Sequence, residues 1–97
     1  MKIIEKKMID ECLGGSTYLE IIFDQPMSAN AISALADKGG VLEYHKDFAQ
    51  PLFQFRSNLK FMLKGLQGEN RCKLILPSDN TETIYNEVVK LINQLPN

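Results

Sequence analysis

LKFMLKGLQGENRCKLIL, residues 59–76, is the stretch on which the fold turns. Leu59, Phe61 and Leu63 alternate with Lys60, Met62 and Lys64. Cys72, Leu74 and Leu76 then alternate with Arg71, Lys73 and Ile75. A period of two marks a strand with one buried face. Gln67-Gly68-Glu69-Asn70 between the two runs has the glycine and short polar residues of a hairpin turn. The stretch predicts antiparallel strands over Leu59–Leu66 and Arg71–Leu76, one face apolar and the other half solvated, as in a sheet covered on one side.

Downstream, Pro77 ends the second strand. Asp79 stands where a helix cap is needed, with Glu82 three residues on in capping-box position. Ile84, Tyr85, Val88, Leu91, Ile92 and Leu95 form one helical stripe, and Asn86, Glu87, Lys90 and Asn93 fall opposite. That helix is expected to lie across the sheet and bury its stripe there.

Upstream, Val41–Lys46 and Leu52–Arg56 read as strands. Pro26 in a first turn, four alanines from Ala29 to Ala36, and the stop signal Gly39-Gly40 predict a short helix over 27–38, with Ile32 and Leu35 as its apolar stripe. Tyr18–Phe23 is β-branched and aromatic, with Leu19, Ile21 and Phe23 on one face. Residues 2–12 give no clean strand face, and Ile4, Met8 and Cys12 would share a helical one. The turn offered by Gly14-Gly15-Ser16 favours a hairpin, 2–12 against 17–23.

The predicted order is β-β-α-β-β-β-β-α. It describes an α+β two-layer sandwich, an antiparallel sheet of five to six strands with both helices on one face. From residue 17 onward the order β-α-β-β-β-β-α resembles that of the TATA-binding-protein half-repeat. The resemblance implies a curved sheet cradling a long C-terminal helix. It lies in element order alone and implies nothing about activity.

Composition bounds the function. With 97 residues, 44% hydrophobic and 24% charged, the chain reads as one globular domain, residues 1–97. Eleven basic and twelve acidic residues give a net charge of −1, which argues against a basic nucleic-acid coat or an acidic disordered tail. The clearest apolar runs, Ile21–Phe23 and Leu74–Leu76, are far short of the roughly 20 residues of a membrane span. Charges at Lys2, Glu5, Lys6 and Lys7 occupy the place of a signal peptide's apolar stretch, so a cytoplasmic protein is expected. Two cysteines fit that compartment.

No catalytic or metal-binding pattern emerges. His45 is the only histidine and is expected on the strand face opposite Leu42 and Tyr44, exposed beside a turn. Cys12 adjoins Leu13-Gly14-Gly15, where a reachable thiol would support a small thiol enzyme or redox module, the least favoured reading. Cys72 alternates onto the apolar face as a small core residue. Two cysteines and one histidine do not make a zinc site, neither glycine pair fits a phosphate loop, and no cofactor is expected.

Charge is the uneven feature. Arg56, Lys60, Lys64, Arg71 and Lys73 face a single acid, Glu69, between Gln54 and Lys73. Alternation puts Lys60, Lys64, Arg71 and Lys73 on the sheet face away from the helices, with Arg56 beside them. Met62, Leu66 and Ile75 lie among them, as on a face that is partly covered. The first expectation is a small non-enzymatic module that associates through this open face, as a homodimer or with a larger protein. A symmetric dimer opposes the five cations to one another unless they lie at its rim. The alternative is an anionic ligand, nucleic acid or a phosphorylated small molecule, held over the same five residues. Phe53, Phe55 and Phe61 alternate toward the core, so no stacking platform is expected for bases.

Overall fold

Six alternating segments become six strands. The computed structural model describes residues 1–11 and 16–96, with Asp10 and Glu11 described by backbone alone. The strands are β1 (Ile3–Glu11), β2 (Thr17–Phe23), β3 (Gly40–His45), β4 (Leu52–Ser57), β5 (Met62–Leu66) and β6 (Arg71–Leu76). Two α-helices join them, α1 (Ala29–Ala34) and α2 (Thr81–Asn93). All pairings are antiparallel and the sheet order is β1-β2-β6-β5-β4-β3. The chain leaves β2, crosses through α1 to the far edge, and meanders back until β6 pairs with β2. The two-layer α+β arrangement is the one the sequence predicts, with β1 a strand. Cys12 and the Gly14-Gly15 turn lie outside the described residues.

The core forms between the sheet and the helices. Leu19, Ile21 and Phe23 of β2, Phe53 and Phe55 of β4, Leu63 of β5, and Cys72, Leu74 and Leu76 of β6 are buried in one cluster. Ile32 of α1 and Val88 and Ile92 of α2 close it from above. Each such aliphatic side chain contributes about 1.5–3 kcal/mol by leaving water. Among the described residues no helix is long and apolar enough to cross a membrane.

Besides shifts of a residue at strand ends, three features differ from the sequence reading: the start and length of α1, the start of β5 and the cap of α2. Helix α1 begins at Ala29, not 27, and continues after Ala34 only as a 3-10 turn, Leu35–Asp37. Met27 is tied to the β5–β6 turn: its N–H donates to the Glu69 carbonyl and its own carbonyl accepts from the Gly68 N–H, both at 2.8 Å. Pro26 therefore precedes the helix, and Ser28 caps it by accepting from the Ala31 N–H at 3.1 Å. Ser28→Ala should lower stability by about 1 kcal/mol. Urea denaturation should show this as an earlier midpoint with an unchanged slope.

The second difference is at β5. Leu59 and Lys60 belong to the β4–β5 turn, where the Ser57 N–H donates to Phe61 O at 2.9 Å and the Lys60 N–H to Ser57 O at 3.0 Å. Lys60 has φ +77, in the left-handed region, so the strand starts only at Met62. The third is the cap of α2. Asp79 does not cap it. Asn80 stands at the N-cap with φ +58 and no side-chain cap bond, and the Thr81 hydroxyl donates to the Pro77 carbonyl at 2.9 Å. Asparagine enters the left-handed region at low cost, and that reversal turns β6 into α2 within four residues.

Candidate functional site

Strand pairing fixes the composition of the outer sheet face, because directly opposed residues point to the same side. Three rows run across it. One reads Tyr18, Ile75, Met62, Arg56, Val41 from β2 to β3, and the middle row reads Lys7, Glu20, Lys73, Lys64, Gln54, Glu43 from β1 to β3. The third holds Glu5 opposite Ile22, Ile22 opposite Arg71, and Leu66 and His45 on either side of Leu52.

The middle row places Lys64 directly opposite Lys73. These residues lie on β5 and β6, the two central strands of the sheet. Both are exposed, and among the described residues neither forms an ion pair. Glu20, the acid beside Lys73, is drawn to Arg71 at 3.7 Å. Gln54, beside Lys64, supplies its amide; with the oxygen turned to Arg56, it accepts from Nε and Nη2 at 3.0 Å each. Like charges directly opposed across strands are destabilising, so the pair is a local positive focus without a counter-charge.

Half-buried apolar side chains frame the focus: Met62, Ile75, Leu52 and Leu66. Two shallow hollows flank it. One of about 300 Å³ is lined by Leu52, Gln54, Lys64, Leu66 and Lys73. The other, of about 200 Å³, adds Glu20, Glu69 and Arg71 to the same two lysines. Of the five cations singled out from sequence, Lys64, Lys73, Arg71 and Arg56 are thus brought together on one face. Lys60 is not: the β4–β5 turn carries it to the end of the sheet. Phe53, Phe55 and Phe61 are buried on the other side.

No family model, curated protein or solved structure matches the chain. The likeness to the TATA-binding-protein half-repeat accordingly rests on element order alone.

The other singled-out residues fall elsewhere. His45 is exposed on the outer face at the β3 edge, and its ring stacks on Phe48 at 5.6 Å between centroids and 12° between planes. Cys72 is buried in the core, and burial pushes its thiol far above the usual cysteine range, so it carries no thiolate near neutral pH. Cys12 is outside the described residues.

Sequence reading missed a second feature on the helix side. A groove of about 400 Å³ separates α2 from the β1 edge, with Leu19 and Leu76 in its floor and Met8 and Tyr85 in its walls. The Lys6 ammonium sits 4.1 Å from the Tyr85 ring centroid, and partial burial raises the Tyr85 hydroxyl pKa above its ordinary value. The signal present in the sequence was Met8, an apolar residue among the charges of residues 2–12.

Proposed function

We propose that this chain is a non-enzymatic binding module that takes an acidic protein surface on the outer face of its sheet. The Lys64–Lys73 pair at the centre of that face carries the reading. A carboxylate-bearing partner supplies the counter-charge the pair lacks, while Met62, Leu66 and Ile75 give it apolar area to cover. Arg71 and Arg56 extend the positive field along the neighbouring rows.

The same placement argues against self-association through this face. A two-fold axis along the strands, between β5 and β6, sets Lys64 of one copy against Lys73 of the other and gathers four ammonium groups at the middle of the interface. The cations are central, not at the rim. Nucleic acid is the weaker anionic partner, because the aromatic rings among the described residues of the three rows, Tyr18 on β2 and His45 on β3, stand apart in different rows, and no stacking platform adjoins the lysines.

The test uses a fluorescent glutamate-rich peptide as probe. Wild-type protein should bind it with an affinity that falls as salt rises. Lys64→Glu with Lys73→Glu should weaken binding at least tenfold, or ~1.4 kcal/mol, while Lys60→Glu should leave it nearly unchanged. Equal binding by the double variant and the wild type would sink the proposal. Preferential binding of a single-stranded oligonucleotide would replace it with the nucleic-acid reading.

A further inference from the structure

From the geometry of its free edge, we infer that β1 pairs with β1 of a second copy, joining two sheets into one of twelve strands. This surface is separate from the outer face and does not rest on the function proposed for it.

Three observations point to the edge. First, among the described residues six large hydrophobic side chains are exposed, and three of them stand on this one strand: Ile4 at 64%, Met8 at 63% and Ile9 at 49%. Second, the edge is long enough to pair. β1 has nine residues, against six in β3 at the opposite edge. Its register against β2 is irregular between Ile3 and Glu5 and again between Met8 and Asp10, which leaves Glu5–Met8 as the regular segment. Bulges and lysines commonly protect an edge from indiscriminate pairing. Here they confine pairing to four residues and so to few registers.

Third, charge selects among those registers. Antiparallel strands related by a two-fold axis perpendicular to the sheet oppose each residue to one pointing to the same side. An axis through Lys7 opposes Lys7 to itself. One through Glu5 opposes Glu5 to itself, and one through Met8 opposes Lys7 to Ile9. Within the regular segment only an axis through Lys6 brings opposite charges together, setting Glu5 against Lys7 of the second copy twice over; an axis through Met8 opposes Lys6 to Asp10 only past the register shift, and there sets Glu5 against Glu11 as well. Glu5 and Lys7 already approach to 4.0 Å within the strand, so the pairing closes an alternating ring of four charges. Lys6 then meets its own copy at the axis, but its ammonium is drawn over the Tyr85 ring, 4.1 Å from the centroid.

The same register brings Met8 to the end of the seam beside Ile4 of the second copy, where β1 shifts register. Because the axis keeps both α2 helices on one side, the two grooves walled by Met8 and Tyr85 meet along the seam. The outer faces join without being covered, and a twelve-stranded sheet would present two lysine pairs.

Sedimentation equilibrium of the purified chain, from low micromolar to submillimolar concentration, tests this. The wild type should be a concentration-dependent dimer. Glu5→Lys and Lys7→Glu should each raise the dimer dissociation constant at least tenfold, since each places like charges at two symmetric contacts. The double swap, Glu5→Lys with Lys7→Glu, restores the complementarity and should restore the dimer. Hydrogen exchange on the wild type gives an answer independent of the variants: protection of Glu5–Met8 should rise with protein concentration. A wild-type monomer throughout the range, a dimer indifferent to the single reversals, a double swap as weak as the singles, or exchange at Glu5–Met8 that ignores concentration would each overturn the inference.

Discussion

Phe53→Ala should lower the unfolding free energy by about 3–5 kcal/mol, a fifth or more of the roughly 5–15 kcal/mol a domain of this size holds. Phe53 is buried on the core face of β4, directly opposite Gly65 of β5. Its ring takes the space a side chain at Gly65 would need: a Cβ there would lie 2.9 Å from ring atom Cε1 and 2.9 Å from the Cβ of Cys72. The aromatic ring thus covers a glycine that would otherwise weaken a central strand. Gly65→Ala alone should cost about 1–3 kcal/mol by overpacking. In the double variant the new methyl enters part of the space the ring vacates, and one of its two clashes disappears. The combined loss should fall short of the sum by at least ~0.5 kcal/mol. A urea-denaturation cycle measures this, and strictly additive losses would refute the contact.

The second large effect is expected at Gly40. A Cβ there would lie 2.2 Å from the Arg56 carbonyl oxygen and 2.9 Å from two atoms of the Phe55 ring. The obstacle is backbone, held in the β3–β4 ladder by the pairs Gly40–Ser57 and Val41–Arg56. Gly40→Ala should cost about 3 kcal/mol, at the upper end of overpacking, and detach the start of β3. Gly39 differs in kind. Its φ is +80, yet a Cβ would meet only the Asn58 side-chain nitrogen, at 3.8 Å. Gly39→Ala therefore carries a conformational penalty of about 1–2 kcal/mol and no clash. Chemical denaturation of the two variants should rank Gly40→Ala as the more damaging, and the reverse ranking would contradict this assignment.

These two glycines also mark what was legible in the sequence. Gly39-Gly40 read as one helix stop. The left-handed turn is made by Gly39, while Gly40 already belongs to β3 and is glycine because Arg56 and Phe55 crowd it. Periodicity carried the fold well wherever a strand is regular: the alternation of β2, β4 and β6 maps onto buried and open faces residue by residue. It blurred at residues 2–12 because β1 changes register twice, at Ile4 and Ile9, and each change resets the alternation. The helix starts were misread at Met27, where hydrogen bonds to the β5–β6 turn override the local signal, and at Asn80, where a left-handed backbone moves the cap past Asp79.

The candidate site was half legible. Lys64, Arg71 and Lys73 follow from alternation within one hairpin. Lys60 breaks the pattern through a left-handed turn that its residue type does not advertise. That Lys64 and Lys73 stand at the middle of the sheet could not be read locally, since it depends on the long-range pairing of β2 with β6. Their central position narrows the proposal, from a second copy or a larger protein to a partner with an acidic surface.

The most direct measurement is a map of backbone amide shifts during titration with the glutamate-rich peptide. Changes should concentrate in β5 and β6 around Lys64 and Lys73, extend to β2 and β4, and collapse when both lysines are reversed to glutamate. Changes confined to α2 and the groove beside Met8 and Tyr85, or no changes at peptide concentrations that saturate other acidic-peptide binders, would contradict an outer-face site.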